Sequence, residues 1–165
     1  MSFQRPPVVR GVKTRDMVRA CLGGPEDDEL VAMMADRLNM GDLMDREINY
    51  GFSGGEIKRS ELLQLLAQMP DLVLLDEPES GVDLVNIALI GQMINELLQK
   101  EQRRARTRAG LIITHTGYIL DYVPADKGQL LFNGVLSCAS NPREILKCIG
   151  EVGYEECVRC TIERN

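Results

Sequence analysis

Two short, uninterrupted apolar runs, at residues 72–75 and 111–113, constrain the fold of this 165-residue chain most strongly. Runs of this length without polar alternation are typical of strands that are covered on both faces, as in a parallel sheet. Helical stretches are predicted at about 55–69 and 83–100, before and between the two runs. We therefore expect an α/β fold that contains a βαβ unit.

Composition excludes several functional classes. The net charge is −6, aromatic residues make up 4% and Trp is absent, which disfavours a nucleic-acid-binding surface. No apolar run approaches the roughly 18 residues of a membrane span, so no direct membrane insertion is expected. Residues 1–20 are basic without an apolar segment, unlike a signal peptide. These features predict a cytoplasmic protein with reduced cysteines.

Local signals predict the elements outside the two apolar runs. In the polar, helical region 1–50, Thr14 is expected to cap a helix that ends near Leu22. A stripe of apolar residues at helical spacing is expected to face the core: Leu30, Met33, Met34 and Leu38. Asn133-Gly134 predicts a two-residue hairpin turn, and Asn141-Pro142 predicts the start of a terminal helix.

The first apolar run ends in Asp76, Glu77 and Pro78. Ligands of open α/β sheets bind at the carboxyl ends of the strands, where these acids are expected to lie. One carboxylate can hold Mg²⁺ and the next can act as a general base toward water. The alternative, in which the acids only cap the next helix, is less specific than the whole string.

Ser53-Gly54-Gly55-Glu56 precedes a helical run and has capping-box spacing. Its glycines allow a phosphate to approach the backbone, and the helix N-terminus supplies N–H donors. The alternative is a capped helix with a glycine turn. His115, the single histidine, follows the second apolar run, so it is expected near Asp76 and Glu77.

These segments resemble the ABC-type ATPases in their order and spacing. Residues 52–56, 72–78, 80–83 and 114–115 are similar to the signature motif, Walker B, D-loop and H-loop, and Gln4 resembles the Q-loop glutamine. Stretches 3–12, 51–59, 114–122 and 150–154 are most similar to the SufC ATPases of iron–sulfur cluster assembly, in an archaeal-like form. The implied fold is a partial P-loop NTPase core with an α-helical subdomain.

The resemblance implies a role for each matching position. Asp76 and Gln4 would support Mg²⁺, Glu77 would be the catalytic carboxylate and His115 would sense the γ-phosphate. The signature residues would contact the γ-phosphate of ATP held by a second ATPase subunit, and Asp83 would couple the two sites. The signature residues are Ser53, Gly54, Gly55 and Glu56. The implied partners are that second subunit and a SufB- or SufD-like scaffold.

The chain contains no Gly-x-x-x-x-Gly-Lys-Ser/Thr, the loop that cradles nucleotide phosphates. We therefore expect a chain that begins inside the ATPase domain and does not bind ATP well by itself. A shortened chain, a start assigned at an internal Met and a split gene would each explain this. The expected division is residues 1–50 for the Q-loop and part of the helical subdomain, 51–150 for the motif-bearing core, and 151–165 for a cysteine-containing tail.

Three functional interpretations follow. The first is a SufC-like ATPase fragment that couples ATP hydrolysis to cluster assembly, and the second is the nucleotide-binding subunit of a transporter. The third is a non-catalytic interaction module. Separately, Cys157 and Cys160 form a CxxC that could bind Zn or an Fe–S cluster together with Cys148 or Cys138. The alternative is a buried Cys148 and a tail that carries thiols.

Overall fold

A computed structural model describes residues 1–23, 27–101 and 106–162. The chain forms two compact units, Met1–Ile119 and Leu120–Asn165. No helix of the described residues is long and apolar enough to cross a lipid bilayer. The three-part division expected from the sequence stays a prediction.

The first unit contains four helices and two strands in its described part. They are α1 (Thr14–Leu22), α2 (Asp28–Arg37), α3 (Gly54–Gln68), β1 (Leu72–Asp76), α4 (Leu84–Leu97) and β2 (Ala109–Ile113), with a 3-10 turn at Gly41–Leu43. Strands β1 and β2 are parallel, from the Leu72–Ala109 pair to the Asp76–Ile113 pair. Helix α4 lies between them in sequence, so the predicted βαβ unit is present.

The sheet is not covered on both faces, which corrects the sequence prediction. Val73 and Leu75 are buried, but Leu72, Leu111 and Ile113 are each more than half exposed. Burial therefore alternates along β1, because the described elements of the unit cover only the Val73 and Leu75 face. Ser2 forms a parallel bridge with Leu75, so the N-terminal segment extends the sheet beyond β1.

The helices of the first unit pack through a core that differs in detail from the predicted stripe. Helix α1 contacts α2 and α3, and α3 contacts α4. In α2 the buried residues are Val31 and Ala35, followed by Leu38, whereas Met33 is 54% exposed. The buried face of α2 is therefore centred on Val31 and Ala35 and not on the methionines.

Helix α1 begins one residue earlier than predicted. Lys13 is the N-cap and gives no side-chain capping bond, while Thr14 is the first helical residue. The Thr14 hydroxyl donates instead to the carbonyl oxygen of Arg46 at 3.2 Å, and Thr14 is fully buried. A tertiary hydrogen bond has therefore replaced the local cap. The helix ends, as expected, at Gly23, whose φ is 65°.

The second unit contains the predicted hairpin and terminal helix. Strands β3 (Gly128–Phe132) and β4 (Val135–Ser140) pair antiparallel across Asn133-Gly134, both with positive φ, as a type I′ turn requires. Helix α5 (Pro142–Ile162) has a kink at Gly153, where φ is 84°. The core of the second unit contains Leu130, Ile145 and Cys157.

Candidate functional site

The carboxyl end of β1 lies between the N-terminal segment and β2. The backbone N–H of Asp76 donates to the carbonyl of Ser2 at 3.2 Å, and the N–H of Glu77 donates to that of Ile113 at 2.9 Å. Glu77 has a φ of 47°, a left-handed conformation that is rare for a residue with a side chain. The chain thus turns sharply at Glu77, and the carbonyl groups of Ser2 and Ile113 fix the peptide N–H groups at this turn.

Glu77 is the centre of a three-residue cluster. Gln4 Nε2 donates to Glu77 Oε2 at 2.9 Å, and His115 Nδ1 lies 2.7 Å from Glu77 Oε1. The Glu77 side chain is 15% exposed, whereas that of His115 is 64% exposed. A carboxylate with a partner on each oxygen is held in one orientation, and the exposed imidazole beside it remains accessible to a ligand.

A buried polar network supports the segment that carries Gln4. Glu61 accepts from the Ser2 hydroxyl at 2.6 Å and from the Phe3 N–H at 2.9 Å. Lys58 Nζ donates to the carbonyl of Phe3 at 2.7 Å and to that of Asp76 at 3.3 Å. Lys58 is 3% exposed and Glu61 is 7% exposed. Burial lowers the pKa of Lys58 and raises the pKa of Glu61, because it disfavours the charged forms.

The start of α3 is a complete capping box. Ser53 Oγ accepts from the Glu56 N–H at 3.3 Å, and Glu56 Oε2 accepts from the Ser53 N–H at 2.7 Å. The Ser53 N–H lowers the pKa of the Glu56 carboxyl by stabilising its charged form. Ser53 and Glu56 therefore satisfy each other's backbone N–H groups at the helix N-terminus.

The turn at residues 53–56, called the signature turn below, contacts the loop that follows β1. A Cβ on Gly54 would lie 2.7 Å from the carbonyl oxygen of Gly81, whereas a Cβ on Gly55 would meet nothing within 4 Å. Asp83 caps α4 by accepting from the N–H groups of Val85 and Asn86 at 3.0 and 2.9 Å. The Asn86 N–H and then the Asn86 side-chain amide, with a smaller effect from the Val85 N–H, lower the pKa of Asp83.

Comparison with known proteins identifies relatives of this chain. The sequence profile of the ABC transporter family matches residues 1–80. The ATP-dependent transporter ycf16 of Cyanidium caldarium is 35% identical over 147 residues, which are 81% of this chain and 56% of that protein. The ATP-dependent transporter SufC of Escherichia coli strain K12 is 31% identical over 167 residues, 93% of this chain and 64% of that protein.

This chain belongs to the ABC-type ATPase family. The fold agrees: an inward-facing structure of a metal-chelate type ABC transporter matches 93% of this ABC ATPase chain and 61% of its own chain, with a TM-score of 0.69 at 22% identity. The predicted family and the predicted α/β, P-loop NTPase-type fold class are confirmed. This ABC ATPase chain spans only about half to two-thirds of the length of the curated relatives it matches.

Of the predicted site residues of the ABC ATPase chain, the structure brings Gln4, Glu77 and His115 into direct contact. Asp76 precedes Glu77 at the strand end and is partly buried. Carboxylate and amide oxygens are the ligands that Mg²⁺ prefers, so this donor set fits the Mg²⁺ that the family implies. Lys58, Glu61 and Glu79 were not predicted, because the groups that they bind lie on segments distant in sequence.

The cysteine residues give the predicted Zn or Fe–S site no support. Cys157 is 1% exposed in the core of the second unit, and Cys148 packs against the same core. Among the side chains that the structure describes, no group of three or more His, Cys, Asp and Glu could hold a metal ion. The side chain of Cys160 lies outside the described set.

Proposed function

We propose that this chain carries the water-activating residues of an ABC ATPase site, with Glu77 as the catalytic carboxylate. The observation that supports this proposal is the pair of contacts on Glu77: Gln4 on one oxygen and His115 on the other. A fixed carboxylate beside a solvent-accessible imidazole can accept a proton from an attacking water. His115 would contact the γ-phosphate as the new bond forms.

The remaining predicted residues act around this centre in the proposal. Asp76 and Gln4 would hold Mg²⁺, which shields phosphate charge when bound. The signature turn would bind the γ-phosphate of ATP on a second ATPase subunit through the N–H groups at the start of α3. Its residues are Ser53, Gly54, Gly55 and Glu56. Asp83 would couple the two sites from the cap of α4.

We further propose a cytoplasmic role in iron–sulfur cluster assembly, with a SufB- or SufD-like scaffold as partner. The similarity to SufC of Escherichia coli supports this choice. A second candidate is the nucleotide-binding subunit of a transporter, because an ABC transporter ATP-binding protein of Streptococcus pyogenes serotype M18 is 30% identical. The two candidates share the Glu77 chemistry and differ in the protein on which ATP hydrolysis acts.

ATP hydrolysis by the assembly that co-purifies with this chain tests the Glu77 assignment. Replacing Glu77 by Gln keeps its shape and removes its basicity, so we expect phosphate release to fall about 10²–10⁴-fold. The matched control is Glu96→Gln, since Glu96 forms a surface ion pair with Arg37. Equal rates in wild type and Glu77→Gln would contradict the assignment. Absence of Mg-ATP binding to the isolated chain at millimolar nucleotide would show that catalysis needs another subunit.

Partner identification separates the two candidates. We expect mass spectrometry of a crosslinked, affinity-purified assembly to recover a SufB- or SufD-like protein. Recovery of a membrane permease in its place would support the transporter subunit. The Glu77→Gln variant is the suitable bait, because loss of hydrolysis prolongs any nucleotide-dependent complex.

A further inference from the structure

The segment that carries His115 is attached to the loop after β1 at a second point. The hydroxyl of Thr114 donates to Glu79 Oε1, and the hydroxyl of Thr116 donates to the same oxygen at 3.0 Å. The residues on either side of His115 therefore bind one carboxylate, while His115 itself contacts Glu77 two residues before that carboxylate.

Glu79 is buried at a cost to the folded state. It is 7% exposed, and its Oε2 has no hydrogen-bond partner in the described part of the chain. A buried carboxylate with one unsatisfied oxygen is less favourable than an apolar or hydroxyl side chain at the same place. Stability alone therefore does not explain an acid at this position. We look for its role at the neighbouring Glu77 site.

The geometry shows what this carboxylate fixes. The backbone on both sides of Glu79 is fixed by two successive turns, in which the Ser80 N–H donates to the Glu77 carbonyl at 3.0 Å and the Val82 N–H donates to the Glu79 carbonyl at 3.2 Å. The Gly117 N–H donates to Thr114 Oγ1 at 2.9 Å, which closes the turn that contains His115. His115 is mostly exposed, so few of its own contacts restrict its orientation.

We infer that Glu79 is a positioning residue that holds His115 against Glu77 by binding the hydroxyls of Thr114 and Thr116. Its catalytic meaning rests on the proposed function, whereas its effect on His115 does not. Glu79 sets the direction of the imidazole through the backbone on both sides of it. Without this carboxylate, His115 samples several rotamers in solvent and its contact with Glu77 is lost for part of the time.

The tautomer of His115 provides a direct test, because His115 is the only histidine in the sequence. A carboxylate can only accept, so the 2.7 Å contact requires the proton of the neutral ring to be on Nδ1. Long-range proton–nitrogen NMR correlations of the purified chain at alkaline pH report this tautomer. We expect the Nδ1–H form to predominate in wild type, and a mixture of both tautomers in Glu79→Leu.

Matched variants make the outcome specific. Glu79→Gln retains an acceptor oxygen and should restore the Nδ1–H form, and Glu96→Leu should leave it unchanged. Thr114→Val and Thr116→Val, made singly, each remove one donor and leave the other on Glu79 Oε1; if Glu79→Leu does not fold, these two single variants decide the result. Folded variants that keep the wild-type tautomer, or a wild type with the proton on Nε2, would overturn the inference.

A second readout separates this inference from the proposed function. In an assembly that hydrolyses ATP, Glu79→Leu should lower kcat and leave KM unchanged. A changed tautomer with an unchanged kcat would reject the catalytic role of His115 and keep the positioning role of Glu79. An unchanged tautomer would reject the positioning role, whatever the rate.

Discussion

Individual buried charges in the first unit act as partners for backbone groups. Lys58 and Glu61 lie one helical turn apart on α3 and bind the peptide groups of the segment that carries Gln4. Each neutralises part of the other's charge, and backbone and hydroxyl groups satisfy much of the rest. The position of Gln4 on Glu77 therefore depends on side chains that do not themselves touch the cluster.

The raised pKa of Glu61 predicts a pH dependence of stability. Burial raises this pKa above its ordinary value of 4.5, so the folded state binds the proton more tightly than the unfolded state does. The stabilisation is complete below the ordinary pKa and is lost as pH rises through the folded value. We expect wild type to lose stability relative to Glu61→Gln as pH rises above the ordinary pKa of 4.5, as measured by urea unfolding.

Glu47 is a control of opposite sign. The Gly11 N–H lowers the pKa of the Glu47 carboxyl, with a smaller effect from Arg10. Its stabilisation is present above the ordinary pKa and is lost in acid, so wild type should gain stability relative to Glu47→Gln as pH rises. The same sign for both variants would show that burial does not govern the Glu61 proton.

The sequence predicted the contact between Glu77 and His115 because neighbouring parallel strands end at one edge of the sheet. It did not predict the supporting residues. Lys58 and Glu61 have the sequence pattern of a solvated helix face, and only the path of the N-terminal segment over α3 buries them. Glu79 could not be predicted either, since its partners Thr114 and Thr116 are distant in sequence.

At the scale of elements, the N-terminus of α3 is specified locally. Ser53 and Glu56 satisfy two N–H groups that would otherwise have no partner in the helix. We expect Ser53→Ala to lower the free energy of unfolding by about 1 kcal/mol, as measured by urea titration. Ser53→Asp retains the acceptor and should be close to wild type. Equal losses in both variants would contradict a capping role.

The two signature glycines should respond differently to a methyl group. Gly54→Ala would bring Cβ to 2.7 Å from the Gly81 carbonyl, so the turn or the loop after β1 must move. Gly55→Ala has open space around its Cβ. We expect a clear fall in the thermal unfolding midpoint for Gly54→Ala and little change for Gly55→Ala. The reverse order would contradict the close contact between signature turn and loop.

Elements specified by local sequence signals could be predicted, whereas burial that depends on packing by other elements could not. The Asn133-Gly134 hairpin follows from two positive φ values that few residues adopt. The exposure of Leu111 and Ile113 could not be read from their apolar run, because the run indicates a strand and not what lies against it.

At the scale of the whole molecule, the chain belongs to the ABC ATPase family but corresponds to only part of its relatives. The chain spans 56% and 64% of the lengths of the ycf16 and SufC relatives. Its sequence contains segments that resemble the Walker B and signature motifs but no Gly-x-x-x-x-Gly-Lys-Ser/Thr loop. The proposed activity therefore belongs to an assembly in which this chain provides Glu77, Gln4 and His115.

The nucleotide recovered from that assembly tests the central claim most directly. ATP-loaded assemblies of wild type and Glu77→Gln are incubated, washed and denatured, and the released nucleotide is separated by chromatography. If Glu77 activates water, wild type contains mainly ADP while Glu77→Gln retains ATP at similar total occupancy. The same ratio of ADP to ATP in both assemblies would contradict the claim.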